Sequence, residues 1–238
     1  MDKVMHESKV LEEVFGEGVH LEQVKFWRGQ RRNLAFYTKS IGELRVTTGK
    51  IVADDPYSLI ESTPFVQVFP KGSFPVELSI ARITDPAVYK EGREDMVDER
   101  IAFVRVRFSD APVARWAGAE REFSPEADPN NLYEQARWGY AVDSGTGSLL
   151  DAQAYQWLSE QQEMDNPEVA QELMDAWESA AIESFRPSRS WLVTELETGD
   201  NIALFSSGFG NGVYHSYIGY AEDGSPVQLV TDFNVYPD

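Results

Sequence analysis

Two hydrophobic periods alternate along this chain. At residues 2–15, Val4, Leu11, Val14 and Phe15 fall on one face at helical spacing, and Gly16 follows as a stop, which predicts an N-terminal helix. From residue 43 the period shortens to two. ELRVTTGKIVADDP predicts a hairpin, with Leu44 and Val46 before the turn and Ile51 and Ala53 after it. PFVQVFPKGSFPVELSIARI predicts a second strand pair about Pro70-Lys71-Gly72, in which Val76, Leu78 and Ile80 alternate with Glu77, Ser79 and Ala81. In RIAFVRVRFSD (100–110), Ala102, Val104, Val106 and Phe108 share one face, with Arg105 and Arg107 on the other. That alternation suits an antiparallel sheet with one wet face.

The helical period returns at about 151–185. Pro167 suits the first position of a second helix there, on which Val169, Leu173, Trp177 and Ala181 form a stripe with Ala170 and Met174 beside it. Glu168, Glu172 and Asp175 point away, and a stripe of this kind reads first as core packing. Strands resume in SWLVTEL, NIALFSS, GVYHSYIGYA and SPVQLVTDFNVY, with GFGNG (208–212) and EDGS (222–225) as hairpin turns. The segment 24–37, holding Arg28, Arg31 and Arg32, reads as a solvated loop or edge, 84–99 as a charged loop and 119–135 as a linker. No internal repeat is evident. The sum is an α+β fold: a largely antiparallel β-sheet with an N-terminal helix and a two-helix insertion around 151–185. The expected division is an N-terminal helix and connecting segment at 1–42, then a single α+β domain at 43–238.

Composition narrows the function classes. The 238 residues are 42% hydrophobic, enough for a real core. Forty acidic against 21 basic residues give a net charge of −19, a field that repels nucleic acid and anionic lipid and draws in basic partners. The same acidity also serves as a solubility coat or a salt adaptation. With no cysteine there is no disulfide and no thiolate metal site. No window reaches 18 uninterrupted apolar residues, and MDKVMHESKVLEEVFGEG lacks the apolar run of a signal peptide, so a cytoplasmic protein is expected.

Candidate chemistry concentrates in GYAVDSGTGSLLDAQAY (139–155). Asp143-Ser144-Gly145 has the local form of an aspartic protease loop, but a two-lobed protease needs a second copy and the chain has none. Ser144, Gly145, Thr146 and Gly147 could offer backbone amides to an anion between strand and helix. No Walker lysine follows, and Asp143 and Asp151 flank the site with negative charge. A divalent cation is a third reading. Asp54, Asp55, Asp143, Asp151, Asp223 and Asp232 fall at strand ends or turns, with Asp55, Asp143 and Asp232 as candidate ligands. His6, His20 and His215 lack zinc spacing, and His215, on a strand, is a candidate general base. The plainest account gives Asp143 the turn amides and makes Asp151 a helix-terminal residue.

Six motifs occur in a fixed order: ADDP (53–56), FPKGSFPVELSIARI (69–83), RIAFVRVRF (100–108), ARW (114–116), GYAVDSGTGSLLD (139–151) and GFGNGVYHSYIGYAEDGSPVQLVTDF (208–233). Together they resemble the bacterial family catalogued as domain of unknown function 4241, over about residues 43–235. One departure is Asn211, where the resemblance leads one to expect Gly-Asp-Gly; a turn role survives it, a carboxylate ligand there does not. The resemblance implies a bacterial protein able to stand alone as a small domain, and implies no reaction, cofactor or catalytic residue. The expected function is therefore a non-enzymatic acidic binding protein for a basic protein partner such as a toxin, in the manner of an immunity protein or antitoxin. The alternative is a hydrolase using Asp143 and Asp151, with Asp55 or Asp232 and a divalent metal.

Overall fold

A computed structural model describes residues 9–26, 29–58, 62–121, 138–163 and 167–237, with the side chains of 162–170 outside that description. Its strands form two antiparallel sheets. The larger runs β1 (His20–Lys25), β2 (Arg31–Val46), β4 (Gly72–Thr84), β5 (Asp98–Arg107), β12 (Pro226–Asp232), β11 (Gly212–Tyr220) and β6 (Arg115–Gly118). Strand β7 (Gly139–Val142) also pairs with β11, at its opposite end from β6. The smaller sheet runs β3 (Ile51–Asp54), β8 (Thr146–Asp151), β10 (Asn201–Ser206) and β9 (Trp191–Glu195).

Three apolar clusters define the layers. Between the sheets lie Leu44, Val46, Leu78, Val104, Phe205 and Ile218, among others. The outer face of the large sheet is covered by α1, of which residues 9–13 are described, through Val10, Leu11 and Val14 against Leu34, Ala102 and Phe103. The outer face of the small sheet is covered by α2 (Ala152–Glu163) and α3 (Pro167–Ala180), through Ala154, Leu158 and Trp177 against Val52, Leu150 and Ile202. Each buried Leu, Ile or Val contributes roughly 1.5–3 kcal/mol of transfer free energy. Because the small sheet is covered on both faces, β3, β8 and β10 are apolar runs rather than alternations. Among the described residues no helix is long and apolar enough to cross a membrane.

The fold is thus mostly antiparallel sheet with few helices, and broadly α+β. Strand pairing differs from expectation at three places. ELRVTTGKIVADDP is not a hairpin: β2 belongs to the large sheet and β3 to the small one, so residues 47–50 form a corner between sheets. GFGNG is likewise a crossing, from β10 in the small sheet to β11 in the large. The true hairpin turn is at 222–225, between β11 and β12. The first half of the pair predicted about Pro70 is irregular chain with one isolated bridge, Phe65 to Arg121. In β5 the ladder to β4 passes from Phe103 opposite Ser79 to Ile101 opposite Ile80, leaving Ala102 as a bulge. The bulge turns both Ala102 and Phe103 toward the α1 layer, while Ile101 and Val104 stay between the sheets. Within 24–37, expected as a solvated loop or edge, Val24 and Lys25 close the edge strand β1, but 31–37 begin the interior strand β2, with Leu34 and Phe36 buried. β2 continues through residue 42, and Val4 and most of the 119–135 linker lie outside the described residues.

Candidate functional site

The stretch 139–155 crosses between sheets. β7 lies in the large sheet and β8 in the small one, and residues 143–145 make the corner that joins them. Its amides are held by a carboxylate from elsewhere: the N–H groups of Asp143 and Ser144 donate to Asp55 Oδ2 at 2.9 and 2.7 Å. The corner at 47–50 is built the same way, with the N–H groups of Thr47 and Thr48 donating to Asp151 Oδ2, both at 2.9 Å. The correspondence extends further. Lys50 N–H donates to Thr48 Oγ1 at 3.1 Å, and Thr146 N–H to Ser144 Oγ at 3.1 Å. Gly49 and Gly145 take φ of +84° and +81°, a left-handed bend that glycine adopts without steric cost. Tyr57 N–H donates to Asp55 Oδ1 at 3.0 Å, and Gln153 N–H to Asp151 Oδ1 at 2.9 Å.

β3 and β8 pair antiparallel, Ile51 opposite Asp151 and Asp54 opposite Ser148. The aspartate at the end of each strand therefore closes the corner that leads into the other. Residues 46–55 and 142–151 are a local repeat after all, VTTGKIVADD against VDSGTGSLLD, identical at Val, Gly and Asp. The two copies are alike in burial, each with a buried aspartate beneath two exposed residues, and differ in the side-chain hydrogen bonds that complete them. Asp151 is fully buried and also accepts from the hydroxyls of Thr47 at 3.1 Å and Thr48 at 2.9 Å. Asp143, which stands at Thr47's place, is exposed as Thr47 is, but carries a carboxylate where Thr47 has a hydroxyl.

Thr146, which follows the second corner, lies on one rim of an apolar groove of about 450 Å³. Tyr57 and Thr146 line that rim, Leu204 and Phe205 of β10 lie across it, and Trp177 and Trp191 flank it. Tyr57 and Trp177 approach with ring centroids 6.5 Å apart. The turn after α3 brings Ile182 and Phe185 to the mouth, 71% and 56% exposed. Asp55 is the positioning residue here, because its two oxygens hold the backbone beneath Tyr57 and the corner that carries Thr146. Burial first, then the carboxylates of Glu178 and Asp55, hold the Tyr57 phenol above its ordinary value. Glu178 lines the groove on the same side as Trp177.

The remaining candidates are dispersed. His215 is exposed on β11, opposite Asp232 in the ladder. Asp232 accepts the Asn234 N–H at 2.8 Å, and Asp223 accepts the Ser225 N–H at 2.9 Å in its hairpin turn. Asp54 is half-buried against Arg121 Nη2 at 2.9 Å and Ser62 Oγ at 2.7 Å, and desolvation pushes its carboxyl up despite both partners. Gly147 is buried where a Cβ would come within 3.0 Å of both Phe205 and the Tyr140 hydroxyl, so it serves close packing. In the Ser144–Gly147 stretch, the amides of Ser144 and Thr146 already have protein acceptors. Asp55 and Asp151 stand at opposite ends of the β3–β8 pair, and among the described residues no three His, Asp or Glu side chains are placed to hold a metal ion.

A family model described as a protein of unknown function, DUF4241, matches residues 44–231. The chain belongs to the DUF4241 family. No curated protein and no solved structure matches it. The DUF4241 region holds both corners, the small sheet, α2, α3 and the groove, and leaves out α1, β1 and most of β2. Within it, sequence reasoning missed the groove and the pairing of corners. The one available signal was the shared Val-x-Thr/Ser-Gly spacing to an aspartate six residues after the glycine, in each DUF4241 corner.

Proposed function

We propose that this DUF4241 protein is a non-enzymatic acidic binding protein of the bacterial cytoplasm that engages a basic protein partner, as an immunity protein or antitoxin engages a cationic toxin. Charge carries this reading. Acidic residues exceed basic ones by 40 to 21, and several of the cations are spent on the protein's own carboxylates. Arg45 pairs with Glu195, Arg82 with Glu94, Arg93 with Asp95, Arg105 with Glu77, Arg121 with Asp54 and Arg189 with Glu99. The surplus of negative charge is left to act outward, where it raises the association rate of a cationic partner by ~10–10³-fold. No observation among the described residues favours a hydrolase working through Asp143 and Asp151.

The test uses the full chain as bait in lysate of its own host, followed by association kinetics with the captured protein at rising salt. A partner of basic isoelectric point, with an on-rate that falls steeply with ionic strength, is the expected result. A salt-insensitive surface that captures nothing, or captures an acidic protein, contradicts the proposal.

A further inference from the structure

The groove between the second corner and the turn after α3 has the dimensions and composition of an anchor site. At about 450 Å³ it lies in the range of small-ligand pockets and accommodates one large apolar side chain with its neighbour. Its aromatic walls, Tyr57, Trp177 and Trp191, are of the kind that concentrates binding energy at protein interfaces. Ile182 and Phe185 extend the apolar surface outward as a ridge. The surrounding charge has one dominant sign. Glu178 lines the groove, Asp175 lies three residues earlier on the same face of α3, and Glu183 follows Ile182; all three are exposed. The nearby Arg189 is buried, bonds Glu99 at 2.7 Å and stacks its guanidinium 4.4 Å from the Trp191 ring, so its charge is satisfied internally. Arg186 is exposed beside Phe185 and donates to the Phe185 carbonyl at 2.8 Å.

We propose that this groove is where the basic partner docks, taking one aromatic or large aliphatic side chain from a segment whose flanking residues are Lys or Arg. The inference rests on the basic-partner reading and adds a place and a chemistry to it. The apolar anchor fills the space between Trp177 and Trp191, while flanking cations meet Glu178, Asp175 and Glu183 at the rim. Specificity then comes from the anchor, and the long-range field supplies encounter rate.

Two synthetic peptides test it against the full chain, with the intrinsic fluorescence of the protein's tryptophans as reporter. One is Lys-Arg-Lys-Phe-Leu-Lys-Arg-Lys, and the other has Ala-Ala in place of Phe-Leu. The Phe-Leu peptide is expected to bind about tenfold more tightly and to shift the fluorescence, with Ile182→Ser, Phe185→Ser and Glu178→Lys each losing a large part of that preference. Ile182, Phe185 and Glu178 are exposed, so these variants keep the wild-type Tm and circular dichroism. Equal binding of the two peptides, undiminished in Phe185→Ser, overturns the groove and leaves the basic-partner reading standing on charge alone. Failure of both peptides to bind also overturns the groove, and the lysate capture then decides the wider reading by itself. Concentration-dependent dimerisation abolished by Phe185→Ser would give the groove to a second copy of the chain and contradict the proposal.

Discussion

The two corners that carry the chain between its sheets share one plan and differ in what surrounds them. At 47–50 the exposed Thr47 and Thr48 sit on Asp151, which is 0% exposed and takes two backbone amides, two hydroxyls and the Gln153 amide at the start of α2. At 143–145 the corner is held by Asp55, 3% exposed, which takes the amides of Asp143, Ser144 and Tyr57, and Thr146 just beyond it lines the groove. Threonine hydroxyls complete the first corner, whereas an exposed Asp143 occupies the matching place in the second. A sheet-to-sheet corner has amides with no ladder partner, and a buried carboxylate satisfies them. Both corners meet this need with a buried carboxylate beneath exposed residues, and at 47–50 the hydroxyls of Thr47 and Thr48 add to the closure. At 143–145 the same device also sets the position of Thr146 in the wall of a cleft.

The comparison breaks most visibly in the aspartates. Asp151→Asn replaces one acceptor oxygen by a donor facing N–H groups, and is expected to lower stability by about 3 kcal/mol in chemical denaturation. Asp55→Asn has fewer donors to disappoint and is expected to cost about 2 kcal/mol. The two should differ in kind as well. Asp55→Asn loosens Tyr57 and Thr146 and so weakens the Phe-Leu peptide under conditions where the protein remains folded, while folded Asp151→Asn retains wild-type affinity. Equal losses of affinity in both variants would remove the distinction between the corners.

How far these features were legible in the sequence follows from the distance over which each is decided. The strands at 191–195, 201–206, 212–220 and 226–232 announce themselves by local composition and turn residues. Asp151 announces its place at the start of α2 in the same local way. Which sheet a strand joins is not a local property. The Thr47 amide meets a carboxylate 104 residues away, and the Asp143 amide one 88 residues away, so a corner and a hairpin look alike in ten residues of sequence. The alternation in RIAFVRVRF misassigns Ala102 because a bulge costs one residue of register and leaves no distinctive side chain. The groove collects Tyr57, Thr146, Trp177 and Trp191 from four separate segments, and no spacing rule joins them.

The glycines sharpen the comparison at a smaller scale. Alanine at either corner meets the left-handed φ and costs about 1 kcal/mol for that reason. A Cβ on Gly49 would also stand 3.1 Å from the Phe69 carbonyl oxygen, while one on Gly145 meets Gly210 at an ordinary 3.5 Å. Gly49→Ala should therefore lower Tm more than Gly145→Ala, and the reverse order would show the first corner to be the looser one.

The smallest expected effect separates Asp54 from its counterpart Leu150. Burial raises the Asp54 carboxyl, so the folded protein holds that proton more tightly than the unfolded chain does. Its contribution to stability falls as pH rises through the window that opens at the ordinary value of 3.8 and extends upward to the raised one. The stability of Asp54→Asn relative to wild type should accordingly rise with pH across that window; a flat difference curve would mean that Arg121 and Ser62 fully offset the desolvation.

Amide hydrogen exchange tests the reciprocal closure of the corners most directly. In the wild type the Thr47, Thr48, Asp143 and Ser144 amides are expected to be protected; Asp55→Asn should release Asp143 and Ser144 while sparing Thr47 and Thr48, and Asp151→Asn should do the opposite. Exchange at open-loop rates in the wild type, or release of both pairs by either substitution under folded conditions, would contradict the account.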